Sequence, residues 1–458
     1  MQVVLHIGQH KTGSKALQSA LYANRHHLAE RRIAYPVEAR AAGTLRPYEM
    51  NHQRLFAAVR AAVDAGERLA DVVALRAMLE RLLAACPAAT ETLLLSAEDL
   101  FDMHTAHEAD FVAGRVAAAS RLLARELAAL GCRPRLVCYV RRQDHLLAAH
   151  YAQFIKGSGT HHPAFTEFQA AFGPRLDAAA IVAHWEEAFG AGALSVAAYE
   201  PRAMPGGIVA DFFRRTLDLE PPPVTVPFPD DLEAFNVTPS RDHLEYIRLL
   251  NRRASRGRPV LPREHVLESA FRDRDVPAAG IAAWLSPRER AALLERHEPG
   301  NRQIAARHGL CPTLFQEPGP SAADPWTPHS GPDFRRLVEL DARARAIAAE
   351  RSGGGTTGRR RRPRLVLWVI SPRATAADAS AALAAFEAVA GRPDLESRLL
   401  EGLAGEPVLR RWRRVAFVML VGPPAGGWQE ALHRWALARS GAKVVAVPGP
   451  LPEPLLAA

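Results

Sequence analysis

The stretch Gln2-Val-Val-Leu-His-Ile-Gly8-Gln-His-Lys-Thr-Gly13-Ser14-Lys-Ala-Leu17 decides the fold. It opens with a short apolar run containing β-branched residues, the mark of a buried strand. A polar turn bracketed by Gly8 and Gly13 follows, and then Ala16, Leu17, Ala20, Leu21 and Leu28 fall at helical spacing. The order is strand, loop, helix. Working outward, strand-like runs recur at 92–96, 135–140 and 194–198. Alanine- and leucine-rich helical stretches fill about 52–86, 107–130, 143–156 and 175–189. Strands alternating with helices predict an α/β fold, a doubly wound and mostly parallel sheet covered on both faces.

The chain has 458 residues, 48% apolar and 23% charged, with a formal net charge of +9. That is globular material, with ample length for two or three domains at ~150 residues each. No stretch approaches the ~18 apolar residues of a membrane span, and no basic, apolar leader precedes the first strand, so a cytoplasmic protein is expected. Cys86, Cys132, Cys138 and Cys311 are scattered without a CxxC pair. A disulfide framework and a cysteine zinc site are therefore not expected, and a reducing compartment is. Only four residues are lysine: Lys11, Lys15, Lys156 and Lys443. In so arginine-rich a chain, a surviving lysine marks a place that needs a compact ammonium instead of a planar fork.

Residues 1–330 are expected to form the main domain, mostly helical from about 205 to 310. Residues 331–364 read as a linker, Gly- and Arg-rich at 351–364, and 365–458 as a small α/β unit of unknown role. The Arg359–Arg362 run has no aromatic residues interleaved, so a solvated tether is expected and a nucleic-acid partner is not.

A strand that feeds a glycine loop into a helix N-terminus is a ready anion site, because free amides and the positive end of the helix dipole converge there. Lys11, Thr12, Ser14 and Lys15 enrich this one. The nucleotide-triphosphate pattern GxxxxGK[ST] does not fit: Gly8-xxxx-Gly13 is followed by Ser14-Lys15-Ala16, which leaves no hydroxyl after the lysine to hold magnesium. With no ligand, the same segment would be a tight turn with solvated lysines.

His6-Ile-Gly-Gln-His-Lys-Thr-Gly-Ser14 resembles the 5′-phosphosulfate loop of bacterial sulfotransferases of the carbohydrate type, which use 3′-phosphoadenosine 5′-phosphosulfate (PAPS). Gln18 falls where such proteins often carry glutamine. Arg141-Arg-Gln-Asp, leading to Tyr151, resembles their 3′-phosphate segment. Leu93-Leu-Leu-Ser-Ala-Glu98, Trp185-Glu-Glu-Ala-Phe-Gly190 with Tyr199-Glu200, and Asn301-Arg-Gln-Ile-Ala extend the likeness over about residues 1–320. The resemblance implies a P-loop-like phosphate site and a sulfotransferase that moves a sulfuryl group from PAPS to a hydroxyl or amine of a carbohydrate or other small acceptor. It assigns the donor to Gln9, His10, Lys11, Thr12, Gly13, Ser14, Lys15, Gln18, Arg141 and Tyr151. No metal is implied.

Sulfuryl transfer needs an aligned donor, a stabilised leaving phosphate and a base for the acceptor. Lys11 is expected at the leaving phosphate, and His52 or Glu98 as the base. Two positions depart from the family pattern. Ala149 stands where a serine is expected, with His150 or Lys156 as substitutes, and Lys15 replaces a second loop hydroxyl. The alternatives are a non-catalytic PAPS-, nucleotide- or partner-binding module of the same fold, or an ATP-dependent P-loop transferase.

Overall fold

The computed structural model describes residues 1–37, 50–220, 239–272, 284–310, 312–324, 326, 334–352, 364–370, 374–392, 395–400, 415–422 and 443–447. The chain divides into two units. The first comprises Met1–Phe154, Phe165–Phe228 and Leu285–Trp326; the second comprises Ile155–Ala164, Pro229–Trp284 and Thr327–Ala458.

The first unit is built on strand β1 (Gln2–Gly8), which enters helices α1 (Ser14–Ala23) and α2 (Arg25–Glu30) and then β2 (Ile33–Ala34). Helices α3 (Gln53–Asp64) and α4 (Leu69–Ala84) lead to β3 (Thr92–Ser96), and α5 (Ala113–Ala129) leads to β4 (Arg133–Val140). Helices α6 (Gln143–Ser158), α7 (Phe165–Phe172) and α8 (Ala178–Phe189) precede β5 (Leu194–Ala198), after which α9 (Gly207–Phe212) begins. Among the described residues the five strands form one sheet in the order β2-β3-β1-β4-β5, every pair parallel. The expected α/β class and parallel sheet are what the chain adopts.

Alternation along β1 decides which helix covers which face. Val3, Leu5 and Ile7 pack with Leu55 and Val59 of α3, Leu122 of α5 and Trp185 of α8. Val4 faces the other way, onto Leu17 and Leu21 of α1 and Phe212 of α9. Each such aliphatic side chain contributes roughly 1.5–3 kcal/mol when fully buried. The helix that leaves β1 therefore covers one face, while α5, which follows β3, covers the other. In a parallel sheet, that divergence between neighbouring strands opens a crevice at their carboxyl ends.

Gly8 shapes the mouth of this crevice. Its φ is +105°, a left-handed-side value that side chains rarely adopt, and an added Cβ would lie 2.5 Å from the Glu98 carbonyl oxygen. The Ala97 and Phe101 amides donate to His6 O and Ile7 O at 2.9 and 3.0 Å, holding the turn after β3 in place.

In the second unit, β6 (Arg364–Ile370), β7 (Leu395–Leu400), β8 (Val415–Val421) and β9 (Lys443–Val447) form a parallel sheet in the order β7-β6-β8-β9. Helix Arg241–Ser255, expected within the main domain, belongs to this unit instead. Tyr246 on that helix donates to Asp341 at 2.8 Å, and Asp341 also accepts from Arg345 at 2.6 Å and from the Gly391 amide at 2.8 Å. Asp341 is fully buried, and those three donors compensate its charge. It lies on helix Phe334–Ser352, inside the stretch expected to be a linker. Residues 353–363, with the Arg359–Arg362 run, and Cys311 lie outside the described residues. No described helix is long and apolar enough to cross a membrane.

Replacing Gly8 with alanine combines the φ penalty with a backbone collision, so the fold is expected to lose about 2–4 kcal/mol in urea denaturation. Stability within about 0.5 kcal/mol of the parent would mean that the close approach to Glu98 is not a constraint.

Candidate functional site

The β1–α1 loop is closed by its own backbone. The Gln9 amide donates to Tyr139 O of β4 at 3.1 Å, and Gln9 Oε1 accepts from the Arg141 amide at 3.0 Å. Thr12 Oγ1 donates back to Gln9 O at 2.6 Å. Gly13, with φ +82°, is the left-handed N-cap of α1. Gln9, Thr12 and Gly13 thus build the loop more than they line it. Gln18, one turn into α1, donates to Ser96 Oγ at 3.1 Å and ties the helix to the end of β3.

The loop presents a cluster of positive charge. Lys11 donates to Gln153 Oε1 of α6 at 2.8 Å. Burial pushes its pKa down to about 8, helped by Lys15 and Arg141 and opposed by Glu98. Arg141 donates to Lys11 O at 2.8 Å and lies 5.6 Å above the Tyr199 ring. Lys15 is exposed on the first turn of α1, which carries no acidic residue. A cation there opposes the helix dipole unless an anion sits between them. Ser14 Oγ is buried without a hydrogen-bond partner. A buried orphan hydroxyl costs about 1–3 kcal/mol, and a ligand oxygen would satisfy it.

Opposite stands the turn after β3. Glu98 is half-buried, and its carboxylate makes no hydrogen bond or ion pair among the described residues, although its charge acts on both Lys11 and His10. Asp99 lies deeper and pairs with His10, Oδ1 to Nε2 at 2.9 Å. Potential ligand atoms of His10, Glu98 and Asp99 all lie within 4.8 Å of one another. Burial works against charge on His10. The charge and hydrogen bond of Asp99, with Asp102 and Glu98 behind it, nevertheless raise its pKa to about 9.

His52, the other candidate base, is committed elsewhere. Its Nδ1 accepts from the Ser96 amide at 2.9 Å and its Nε2 donates to Pro36 O at 2.7 Å. It clamps the start of α3 to β3, with no ring nitrogen left over for an acceptor proton. Tyr151 is 1% exposed and packs against Phe165 and Phe168 at 5.2 and 5.3 Å between ring centres, so it serves as core. His150 is turned inward to His10 and Phe172, and the buried Lys156 belongs to the second unit.

The residues that sequence reasoning missed are Asp99 and Gln153; Ser96 entered only as part of the Leu93–Glu98 segment, without a role of its own. Gln153 follows Ala149 by one helical turn, on the same face of α6, so the helix does offer the loop a polar group, four residues late. Ser96 Oγ meets His6 Nδ1 at 2.9 Å as well as Gln18. No protein-family model matches the chain, and no curated protein matches it.

Ser14→Ala is expected to leave unfolding stability unchanged or raise it by up to about 1 kcal/mol, since it removes a buried orphan. The same change is expected to weaken binding of inorganic sulfate about tenfold, measured by calorimetry. Loss of stability with unchanged affinity would assign the hydroxyl to the fold.

Proposed function

We propose that this chain is a sulfotransferase that moves a sulfuryl group from PAPS to a hydroxyl, or an amine, of a carbohydrate or other small acceptor. The observation that carries this is the pairing, across one crevice, of an anion loop with an unengaged carboxylate. On the loop side stand Lys11, the orphan Ser14 hydroxyl, Lys15 and Arg141; on the other stands Glu98. The site is P-loop-like, with the β1–α1 loop in the role of phosphate cradle.

The chemistry divides among these residues as follows. The α1 amides and Ser14 Oγ hold the phosphosulfate, and Arg141 faces the 3′-phosphate. The acceptor oxygen attacks sulfur, the bond from sulfur to the bridging phosphate oxygen breaks, and Lys11 stabilises the charge that develops on that oxygen. Glu98 takes the acceptor proton; His52, with both nitrogens used, holds β3 in position. No metal is needed for this division of labour. The free thiols Cys86, Cys132 and Cys138 fit a reducing, cytoplasmic setting.

A second reading has its own support. Ala149 offers no donor and Tyr151 is buried in the core, which thins the 3′-phosphate contacts and favours a nucleotide-binding module without transfer. Nothing comparable favours an ATP-dependent transferase, since Ala16 follows Lys15.

Calorimetry with adenosine 3′,5′-bisphosphate in the absence of magnesium is expected to show saturable binding, weakened about 10–100-fold in Lys11→Ala. Glu98→Gln should keep that binding within a few-fold while sulfation of a carbohydrate acceptor pool, followed by mass spectrometry, falls about 10²–10⁴-fold. Binding without any transfer by the parent would select the module; no binding at millimolar ligand would end both readings.

A further inference from the structure

Among the described residues, Lys11 is one of five non-glycine residues with left-handed backbone, at φ +64°. This costs roughly 1–2 kcal/mol and persists only where the surroundings over-determine it. Two clamps flank the residue. After it, Arg141 holds its carbonyl at 2.8 Å. Before it, His10 is pinned with Nε2 2.9 Å from Asp99 Oδ1 and 2.9 Å from His104 O. Two oxygens around one nitrogen require that nitrogen to carry hydrogen, because a lone pair there would face both acceptors.

The groups around the His10 ring come from three elements. The turn after β3 contributes Glu98, Asp99 and Asp102, together with the carbonyl of His104. Helix α6 contributes His150, edge-on at 5.4 Å, with both ring nitrogens buried and unpartnered. The loop itself contributes Lys11. Arg175 and His107 act in turn on His150, and together with its burial they keep it neutral. The acidic turn is fixed from behind: Gln53 of α3 donates to Asp99 Oδ2, and Arg175 donates to Asp102 at 2.6 Å. His10 thus stands with three carboxylates on one side and a neutral imidazole on the other. His10 directly precedes Lys11, so what holds its ring also holds the backbone that carries the loop lysine.

We propose that His10 is a positioning residue whose proton, retained by Asp99, holds Lys11 in place for the anion, so that binding at the loop depends on the charge state of the His10–Asp99 pair. The identity of that anion as a sulfuryl donor rests on the function proposed above; the pairing and its effect on Lys11 do not. When the proton leaves, an ion pair becomes an ordinary hydrogen bond and one of the two clamps on a strained residue slackens. A misplacement of about 1 Å at a reacting group is worth about 10²-fold in rate.

The test uses the full chain, with inorganic sulfate as the probe because sulfate keeps one charge state over the range examined. Calorimetric affinity is followed from about pH 6 to about pH 9.5 in the parent, Asp99→Asn and Asp99→Glu, with nitrogen-15 histidine spectra reporting the His10 titration. The parent is expected to hold sulfate up to about pH 8 and to lose it as His10 and Lys11 discharge. Asp99→Asn keeps an oxygen in place but not its charge, so burial discharges His10 throughout the range; its affinity is expected to lie about tenfold below the parent's from about pH 6 to about pH 8 and to converge on it toward about pH 9.5, where the parental His10 also loses its proton. Asp99→Glu should restore the parental profile. A gap between parent and Asp99→Asn that stays the same up to about pH 9.5, or an unmoved His10 titration, would overturn the positioning role, as would a parent that binds no sulfate at any pH. A parent that binds sulfate but not adenosine 3′,5′-bisphosphate overturns the sulfotransferase reading alone.

Discussion

Everything at this site depends on how closely β1 approaches the turn after β3. The absence of a side chain at Gly8 lets the Glu98 backbone lie where a Cβ would sit, and the Ala97 and Phe101 amides lock the two segments together on either side of Glu98. The same two strands send their helices to opposite faces of the sheet, so the crevice opens where the backbones are tightest. One edge of that crevice is a cationic loop and the other an acidic turn. A wider spacing would leave Lys11 without Glu98 and His10 without Asp99.

The molecule separates polar groups that hold the fold from polar groups that can serve a ligand. Asp144 is fully buried and saturated: Arg142 reaches it at 2.9 and 3.1 Å and Arg290 at 3.1 Å, while Arg142 also donates to the Glu317 and Pro318 carbonyls. These arginines are committed, and removing both would strand the buried Asp144 charge at a cost of about 3–5 kcal/mol. Near the loop the accounting is incomplete. Ser14 Oγ has no partner, and the Glu98 carboxylate is unengaged among the described residues. Other buried atoms also lack a partner, Thr216 Oγ1 and Trp326 Nε1 among them, but Ser14 Oγ lies at a helix N-terminus between Lys11 and Lys15.

The sequence showed the parts of the site that are local and hid the parts that are not. Strand, loop and helix were legible because alternation and helical periodicity are properties of a few successive residues, and Lys11 and Ser14 were legible because they share that short segment. Asp99 and Gln153 reach the loop from residues far along the chain, and no periodicity announces such contacts. His52 looked like a base because a histidine beside a loop has the right chemistry; only the fold shows both its nitrogens given to backbone atoms. Tyr151 followed a family spacing, yet Phe165 and Phe168 claimed it for the core. Helix Arg241–Ser255 shows the same limit on a larger scale. Its amphipathic pattern reveals that one face is buried, but not which sheet's unit it joins, and Asp341 settles that for the second unit.

The choice of lysine at position 11 follows from its surroundings. Among 58 basic residues only four are lysine, so arginine is what this chain uses where any cation suffices. Arginine stays charged under all conditions, whereas a buried lysine flanked by Lys15 and Arg141 holds its proton weakly, near pH 8. An incoming anion reverses that balance, favouring the ammonium, and by linkage the protonated lysine favours the anion to the same extent. On the proposed function, the loop would thus reach its full charge as the anion arrives and give part of it up when the anion departs. A guanidinium would lack that response, and its planar fork would have to occupy the space where Gln153 now meets a single ammonium at 2.8 Å.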